Sequence, residues 1–250
     1  MSALPSLLAK TRKLFAVMRT SEYRRGLRYG VAASIEHERI PLRRDFQTVL
    51  DAGANRGQFA LFARQMLPGA TLLCFEPLAA PRRRLERVTV GSGATIFDVA
   101  LGARAETASF HVSAADDSSS LLSIGARQRE AFPGTEEREQ ISVRVRRLDE
   151  VIDANALARP VLLKVDVQGG ELALLQGAEG VLGVVDAMLI EASFVQLYEG
   201  QPLIGEVWKL IAAAGFTCRG IWSITYGPGG VSLQADFLFA REGFEPLSPR

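Results

Sequence analysis

The stretch that most constrains this chain runs from Val49 to Pro77, where an apolar run ends in a glycine turn and a second apolar run follows. TVLDAG (48–53) has the length and apolar density of a strand buried on both faces, and such strands belong to parallel sheets flanked by helices. Gln58 to Leu67 then reads as a helix closed by Pro68 and Gly69, and TLLCFEP (71–77) as the next strand. The alternation continues with a helix from Ala79 to Val88 and a strand within ATIFDVALG (94–102). It resumes with PVLLKVD (160–166), a helix from Glu171 to about Leu182, DAMLIEAS (186–193) and a helix from Ile204 to Ala214. FTCRGIW (216–222) and DFLFAR (236–241) suit a closing hairpin around YGPGG (226–230). Residues 104–148 break the rhythm: TASFHVS and ISVRVRRL alternate in the strand period around polar segments, which predicts a β-rich insertion with a mobile, substrate-facing loop. The expected fold is α/β, a doubly wound, mostly parallel seven-stranded sheet with an antiparallel C-terminal hairpin.

A length of 250 residues suits one such domain, over 45–250, preceded by a basic extension over 1–44. That extension holds ten Lys and Arg against three Asp and Glu, although the whole chain is only +1, which argues against a nucleic-acid partner. Leu4, Leu7, Leu8, Leu14, Phe15 and Met18 fall at helical spacing among Lys10, Arg12, Lys13 and Arg19, predicting a basic amphipathic helix. It suits packing on the domain or on a partner subunit, so a homo-oligomer stays open, as does weak contact with a membrane surface. No run approaches the ~20 apolar residues that span a bilayer. Cys74 and Cys218 lie in apolar runs without ligand-like spacing, as in a reducing compartment; the cytoplasm is the expected location.

The chemistry-bearing residues cluster at the predicted carboxyl ends of strands, where open α/β sheets bind ligands. The turn Asp51, Ala52, Gly53, Ala54, Asn55, Arg56, Gly57, Gln58 feeds a helix N-terminus, with Gly53 and Gly57 allowing tight turning and close approach. A dinucleotide fingerprint needs glycines at 53, 55 and 58, and the chain has Gly53, Asn55 and Gln58, which disfavours a pyrophosphate. Asp51 would repel a pyrophosphate but suits an ammonium group. Glu76, 19 residues beyond Gly57, is placed to accept hydrogen bonds from both hydroxyls of a ribose, with Pro77 holding it extended. Asp98 is placed to meet an adenine amino group, with the backbone of Val99 and Ala100 as alternatives. Asp166 and Glu171, in LLKVDVQGGE, are candidates to orient substrate or touch the cofactor. Asp166 and Glu191 lack a third ligand, so no metal is expected.

VLDAGANRGQFAL, FEPL, VALG, the SSSLL segment, LDEVI, LLKVDVQGGELALLQGA, IEAS, LYEGQP and DFLFAR together resemble the FkbM family of S-adenosylmethionine-dependent methyltransferases, from about Ser34 to Arg241. The resemblance implies the class I methyltransferase fold, S-adenosylmethionine as cofactor, and methylation of a hydroxyl on a small molecule or glycan. Gln168 departs from the family pattern, where many relatives carry Glu. A nicotinamide-dependent oxidoreductase and a non-catalytic nucleoside-binding module are the competing readings. In the favoured one the protein aligns acceptor oxygen, methyl carbon and sulfur, and a base takes the hydroxyl proton. Histidine, with an ordinary pKa of about 6.5, suits that task. Of the two histidines, His111 is explained by a half-exposed strand position, which leaves His37, flanked by Glu36 and Glu38, as the candidate base.

Overall fold

The computed structural model describes Met18 and residues 20–248. The main sheet contains β1 (Thr48–Ala52), β2 (Thr71–Phe75), β3 (Thr95–Phe97), β7 (Val161–Val165), β8 (Ala187–Ser193), β9 (Phe216–Tyr226) and β10 (Ser232–Arg241). Its seven strands are ordered β3-β2-β1-β7-β8-β10-β9, with all pairs parallel except those made by β10. β1 and β7 are buried along their whole length, which explains their unbroken apolar runs. Successive residues nonetheless serve opposite faces: Leu50 and Leu163 join one core cluster, while Val49 and Leu162 join the other. β1 has β2 on one side and β7 on the other, so the strand order reverses there and opens a crevice beyond the carboxyl ends.

Helices α2 (Gln58–Met66) and α3 (Ala79–Thr89) follow the first two strands, and α8 (Ile204–Ala213) precedes the hairpin. The insertion forms a second, three-stranded sheet of β4 (Ala100–Leu101), β6 (Glu137–Arg146) and β5 (Glu106–Ser113), with α4 (Ala126–Ala131) between the long strands and the short α5 (Leu148–Val151) after them. At the N-terminus, α1 (Ser21–Arg28) is capped by the Thr20 hydroxyl, and its Tyr23 packs into a cluster with Leu61 and Val88. The amphipathic helix predicted over Leu4 to Arg19 lies outside the described residues except for Met18. Among the described residues no helix is long and apolar enough to cross a membrane.

Two elements differ from the sequence expectation. The third strand is two short strands in different sheets: β3 ends at Phe97, and the chain leaves the main sheet before β4 pairs with β6. The helix expected from Glu171 to Leu182 is split into α6 (Glu171–Gln176) and α7 (Glu179–Leu182). Gly177 marks the break because a Cβ there would lie 2.0 Å from the Gly102 carbonyl oxygen, at the entrance to the insertion. Gly177→Ala should therefore force two backbones apart and destabilise the fold by about 3 kcal/mol, a loss that urea denaturation would measure.

Candidate active site

A cavity of about 530 Å³ lies along the carboxyl ends of the main sheet, a size suited to a nucleoside-scale ligand. Of the residues singled out in the sequence, Gly53, Ala54, Asn55, Gln58, Glu76, Pro77, Val99, Ala100, Asp166 and His37 line it. Asp51, Gly57, Asp98 and Glu171 do not.

The glycine turn is shaped by the protein's own packing. Gly53 has φ +77°, and a Cβ there would lie 1.8 Å from the carbonyl oxygen of Asp166 at the end of β7. Gly57, φ +94°, would meet Val88 at 2.7 Å, so it lets α2 start against α3. Both glycines are required before any ligand is considered.

Asp51 is 1% exposed, and the cation facing it belongs to the chain. Lys164 lies opposite it in register on β7, with Nζ 3.5 Å from Asp51 Oδ1. This corrects the assignment of Asp51 to a ligand ammonium group. The same Nζ donates to the Gly53 carbonyl and to Asp166 Oδ2, each at 3.3 Å. Burial opposes the charge on Lys164, yet the carboxylates of Asp166 and Asp51 raise its pKa above the ordinary value.

Glu76 stands at the end of β2 with both oxygens engaged by backbone. Oε2 accepts from the Asn55 N–H at 2.9 Å and Oε1 from the Leu78 N–H at 2.7 Å. It therefore braces the glycine loop while keeping further lone pairs on the cavity wall. Burial pushes its pKa up to about 7, against the pull of those two N–H groups.

Asp98 is exposed and paired with Arg144 of β6, so the structure corrects its expected adenine contact. It sits where the chain leaves one sheet for the other and turns outward, while Val99 and Ala100 face the cavity. Glu171 is also corrected: it is buried in its own turn, Oε1 accepting from the Gly169 N–H at 2.8 Å, and burial pushes its pKa up to about 7.

His37 occupies a 3₁₀ turn (Ile35–Arg39) and is 9% exposed, edge-on to Phe59 and Phe62. Its Nε2 lies 3.4 Å from Oδ2 of Asp236 on β10. Glu38 does not orient it, because Glu38 accepts a hydrogen bond from the Tyr23 hydroxyl at 2.7 Å. His111 lies in the small sheet, off the cavity, with Nδ1 2.6 Å from Glu137.

Two important side chains were missed. Asp236 was signalled only as a lone carboxylate in the otherwise apolar run from Ala235 to Ala240, with buried residues on both sides. Gln168, noticed as a departure from a family pattern, is a hub: its Nε2 donates to Asp166 Oδ1 at 2.7 Å and Glu191 Oε2 at 3.1 Å. Its Oε1 accepts from the Tyr198 hydroxyl at 2.8 Å, and that hydroxyl also approaches the Ser118 carbonyl at 3.1 Å. The loop expected to be mobile is thus tied down, also by Arg56–Asp116 at 2.7 Å and by the Ser120 hydroxyl on the Gln168 carbonyl at 2.6 Å. Through Ser118, Ser119, Gln128 and Phe132 the insertion supplies one cavity wall. Among the described residues, no group of three or more His, Cys, Asp or Glu is arranged to hold a metal ion.

A reversed strand order with an antiparallel β10 inserted beside β8, and a nucleoside-sized cavity bounded by a glycine loop and a strand-end glutamate, define a class I methyltransferase. The Methyltransferase FkbM domain matches residues 51–218. The 2-O-methyltransferase NoeI of Sinorhizobium fredii is 31% identical over 203 residues, covering 77% of this chain and 83% of that protein. The 31-O-demethyl-FK506 methyltransferase FkbM of Streptomyces tacrolimicus is 29% identical, covering 68% of this chain and 72% of its own. Among solved structures, Aeropyrum pernix fibrillarin with natively bound S-adenosyl-L-methionine superposes with a TM-score of 0.44 at 12% identity, covering 88% of this chain and 76% of that one. The chain belongs to the FkbM methyltransferase family, and S-adenosylmethionine is its methyl donor.

Two predictions follow from the carboxylates. Glu76 and Glu171 both have folded pKa values near 7 against an ordinary 4.5. Between these values the folded state binds more protons than the unfolded one, so stability is full below about 4.5 and is lost as pH rises through about 7. Thermal scans of the ligand-free protein should show Tm falling across that window, with a shallower fall in Glu171→Gln. Gln168→Glu should remove the donor shared by Asp166 and Glu191 and set a third acid beside them. A loss of about 1–3 kcal/mol at pH 8, smaller at pH 5, is expected in denaturant titrations.

Proposed function

We propose that the protein is an O-methyltransferase acting on a hydroxyl of a small polyhydroxylated molecule or sugar. The observation that carries this reading is the division of the cavity along the sheet edge. At the β1–β2 end stand the glycine loop and Glu76; at the β10 end stand His37, Ser223, Thr225, Gln234 and Asp236, side chains that suit a hydroxyl-rich acceptor. Both relatives named above are called methyltransferases of a numbered oxygen.

S-adenosylmethionine supplies a methyl group already activated on a positive sulfur. The chain's part is binding and alignment. Glu76 takes the two ribose hydroxyls, Val99 and Ala100 flank the base, and Asp166 stands by the methionine end. The glycine loop, braced by Glu76, holds these groups before the ligand arrives. His37 stands on the acceptor side, beside the place from which the hydroxyl proton leaves. The buried Phe59 and Phe62 fix its ring. With both thiols free, we place the protein in a reducing cytoplasm.

Transfer of label from methyl-labelled S-adenosylmethionine to a panel of neutral methyl glycosides tests the activity; incorporation only into amines or thiols would refute it. Calorimetry with S-adenosylhomocysteine tests the cofactor end. Glu76→Ala loses the shared acceptor, and affinity should fall roughly tenfold to a hundredfold. Because two hydroxyl donors favour the ionised form of a group whose free pKa is about 7, binding to the wild type should release protons at pH 6.5 and tighten toward pH 8. Titrations in buffers of different ionisation enthalpy read this directly, and Glu76→Gln should abolish the release.

A further inference from the structure

We propose that Asp236 takes the proton from the acceptor hydroxyl and that His37 is the positioning residue that holds its carboxylate. This rests on the O-methyl reading. β1, β7, β8 and β10 are consecutive neighbours, and Asp166, Glu191 and Asp236 stand in a row at their cavity edge. With strands about 4.8 Å apart, Asp236 is two strands, about 10 Å, from the Asp166 end of β7, which leaves room for an acceptor between cofactor and carboxylate.

Every other group in that row is committed. Asp166 holds Lys164 and Gln168, and Glu191 holds Gln168. The His37 ring turns Nε2 toward Asp236, while Nδ1 is sealed from solvent without a partner. A buried lone pair is less costly than a buried unpaired N–H, so the neutral ring carries its hydrogen on Nε2, aimed at Asp236. No ring nitrogen is then left to receive a proton from the cavity. Asp236, by contrast, lines the cavity, and among the described residues its carboxylate is approached only by the His37 ring.

Glu191 is directly opposite Asp236 in the β8–β10 register. Two ionised carboxylates so placed would repel. Burial, then the carboxylates of Asp166 and Asp236, hold the Glu191 pKa well above the ordinary carboxylate range. Glu191 is therefore the acid of the pair, the division of roles that separates acid from base in paired carboxylates, and the Asp236 carboxylate is the one that faces the His37 ring. In the step, the acceptor oxygen bonds to the methyl carbon as the carbon–sulfur bond breaks onto sulfur, and the hydroxyl proton passes to an Asp236 oxygen and then to water.

The test is single-turnover transfer to the best methyl glycoside of the panel, with S-adenosylhomocysteine affinity measured on each variant. Asp236→Asn should slow transfer by about 10²–10⁴-fold with that affinity unchanged. Sodium formate should restore part of the rate to Asp236→Ala, and His37→Gln should cost roughly tenfold. A larger loss in His37→Gln than in Asp236→Asn, with formate inert, would overturn the proposal and make the ring the base. Absence of transfer by a wild type that binds S-adenosylhomocysteine would instead sink the O-methyl reading. The proton's place has its own readout. Beside the bands of Glu76 and Glu171, whose pKa values are pushed up to about 7, one further infrared carbonyl stretch of a protonated carboxyl should be lost in Glu191→Gln and persist in Asp236→Asn; its loss in Asp236→Asn would put the proton on Asp236 and end the proposal.

Discussion

One buried cation fixes the geometry of the crevice. Lys164 sits at the middle of the sheet between Asp51 and Asp166, where an isolated ammonium could not be tolerated. A buried ion pair repays its desolvation only when its geometry is good and its remaining donors are satisfied. Here the third contact is the Gly53 carbonyl, so the ion that joins β1 to β7 also sets the first peptide of the ligand loop. The approach of β7 to that loop is close enough that only glycine fits at 53. The loop's shape is therefore a property of the strand crossover, and the ligand inherits it.

From Asp166 the order spreads outward. Its second oxygen accepts from Gln168, whose amide also reaches Glu191 and receives Tyr198. Gln168 has φ +56°, a left-handed conformation that a long side chain adopts only when its surroundings hold it there. The reward is a side chain that donates to two acids at once, which a glutamate in that place would not do. Tyr198 passes the constraint to Ser118, and Arg56 pairs with Asp116, so the insertion is docked on the same loops that form the site. A cavity wall built by a separate small sheet is thus fastened to the main sheet.

Much of this was legible in the chain. The strands β1, β2, β7 and β8 announce themselves because burial on both faces demands continuous apolar runs, and the glycine turn because positive φ admits few residues. The break inside 94–102 was not legible: apolar content is the same on both sides of Asp98, and which sheet each half joins is decided by β6, some 40 residues on. The split at Gly177 depends on contact with Gly102, another long-range fact. The same limit applies to side chains. Glu76 could be placed because its partner motif is local, whereas Asp51 was given to a ligand because the register that sets Lys164 opposite it is invisible in one dimension. Asp236 lies 199 residues from His37, and only the hairpin brings them together.

The charge on the cavity wall gives these placements a common sense. Lys164 is its only lysine or arginine among the described residues, and that ammonium is already held by Asp51 and Asp166. Glu76, Glu191 and Asp236 have no lysine or arginine at ion-pair distance among the described residues, and burial raises the pKa of Glu76 and Glu191. Such a wall costs stability when empty, a common feature of sites whose residues are selected for chemistry over packing. It suits a donor that brings a positive sulfur, since opposite charges attract more strongly in a crevice of low dielectric than in water. Transfer removes that positive charge. The attraction that favours the charged donor is therefore absent for the neutral thioether it leaves behind.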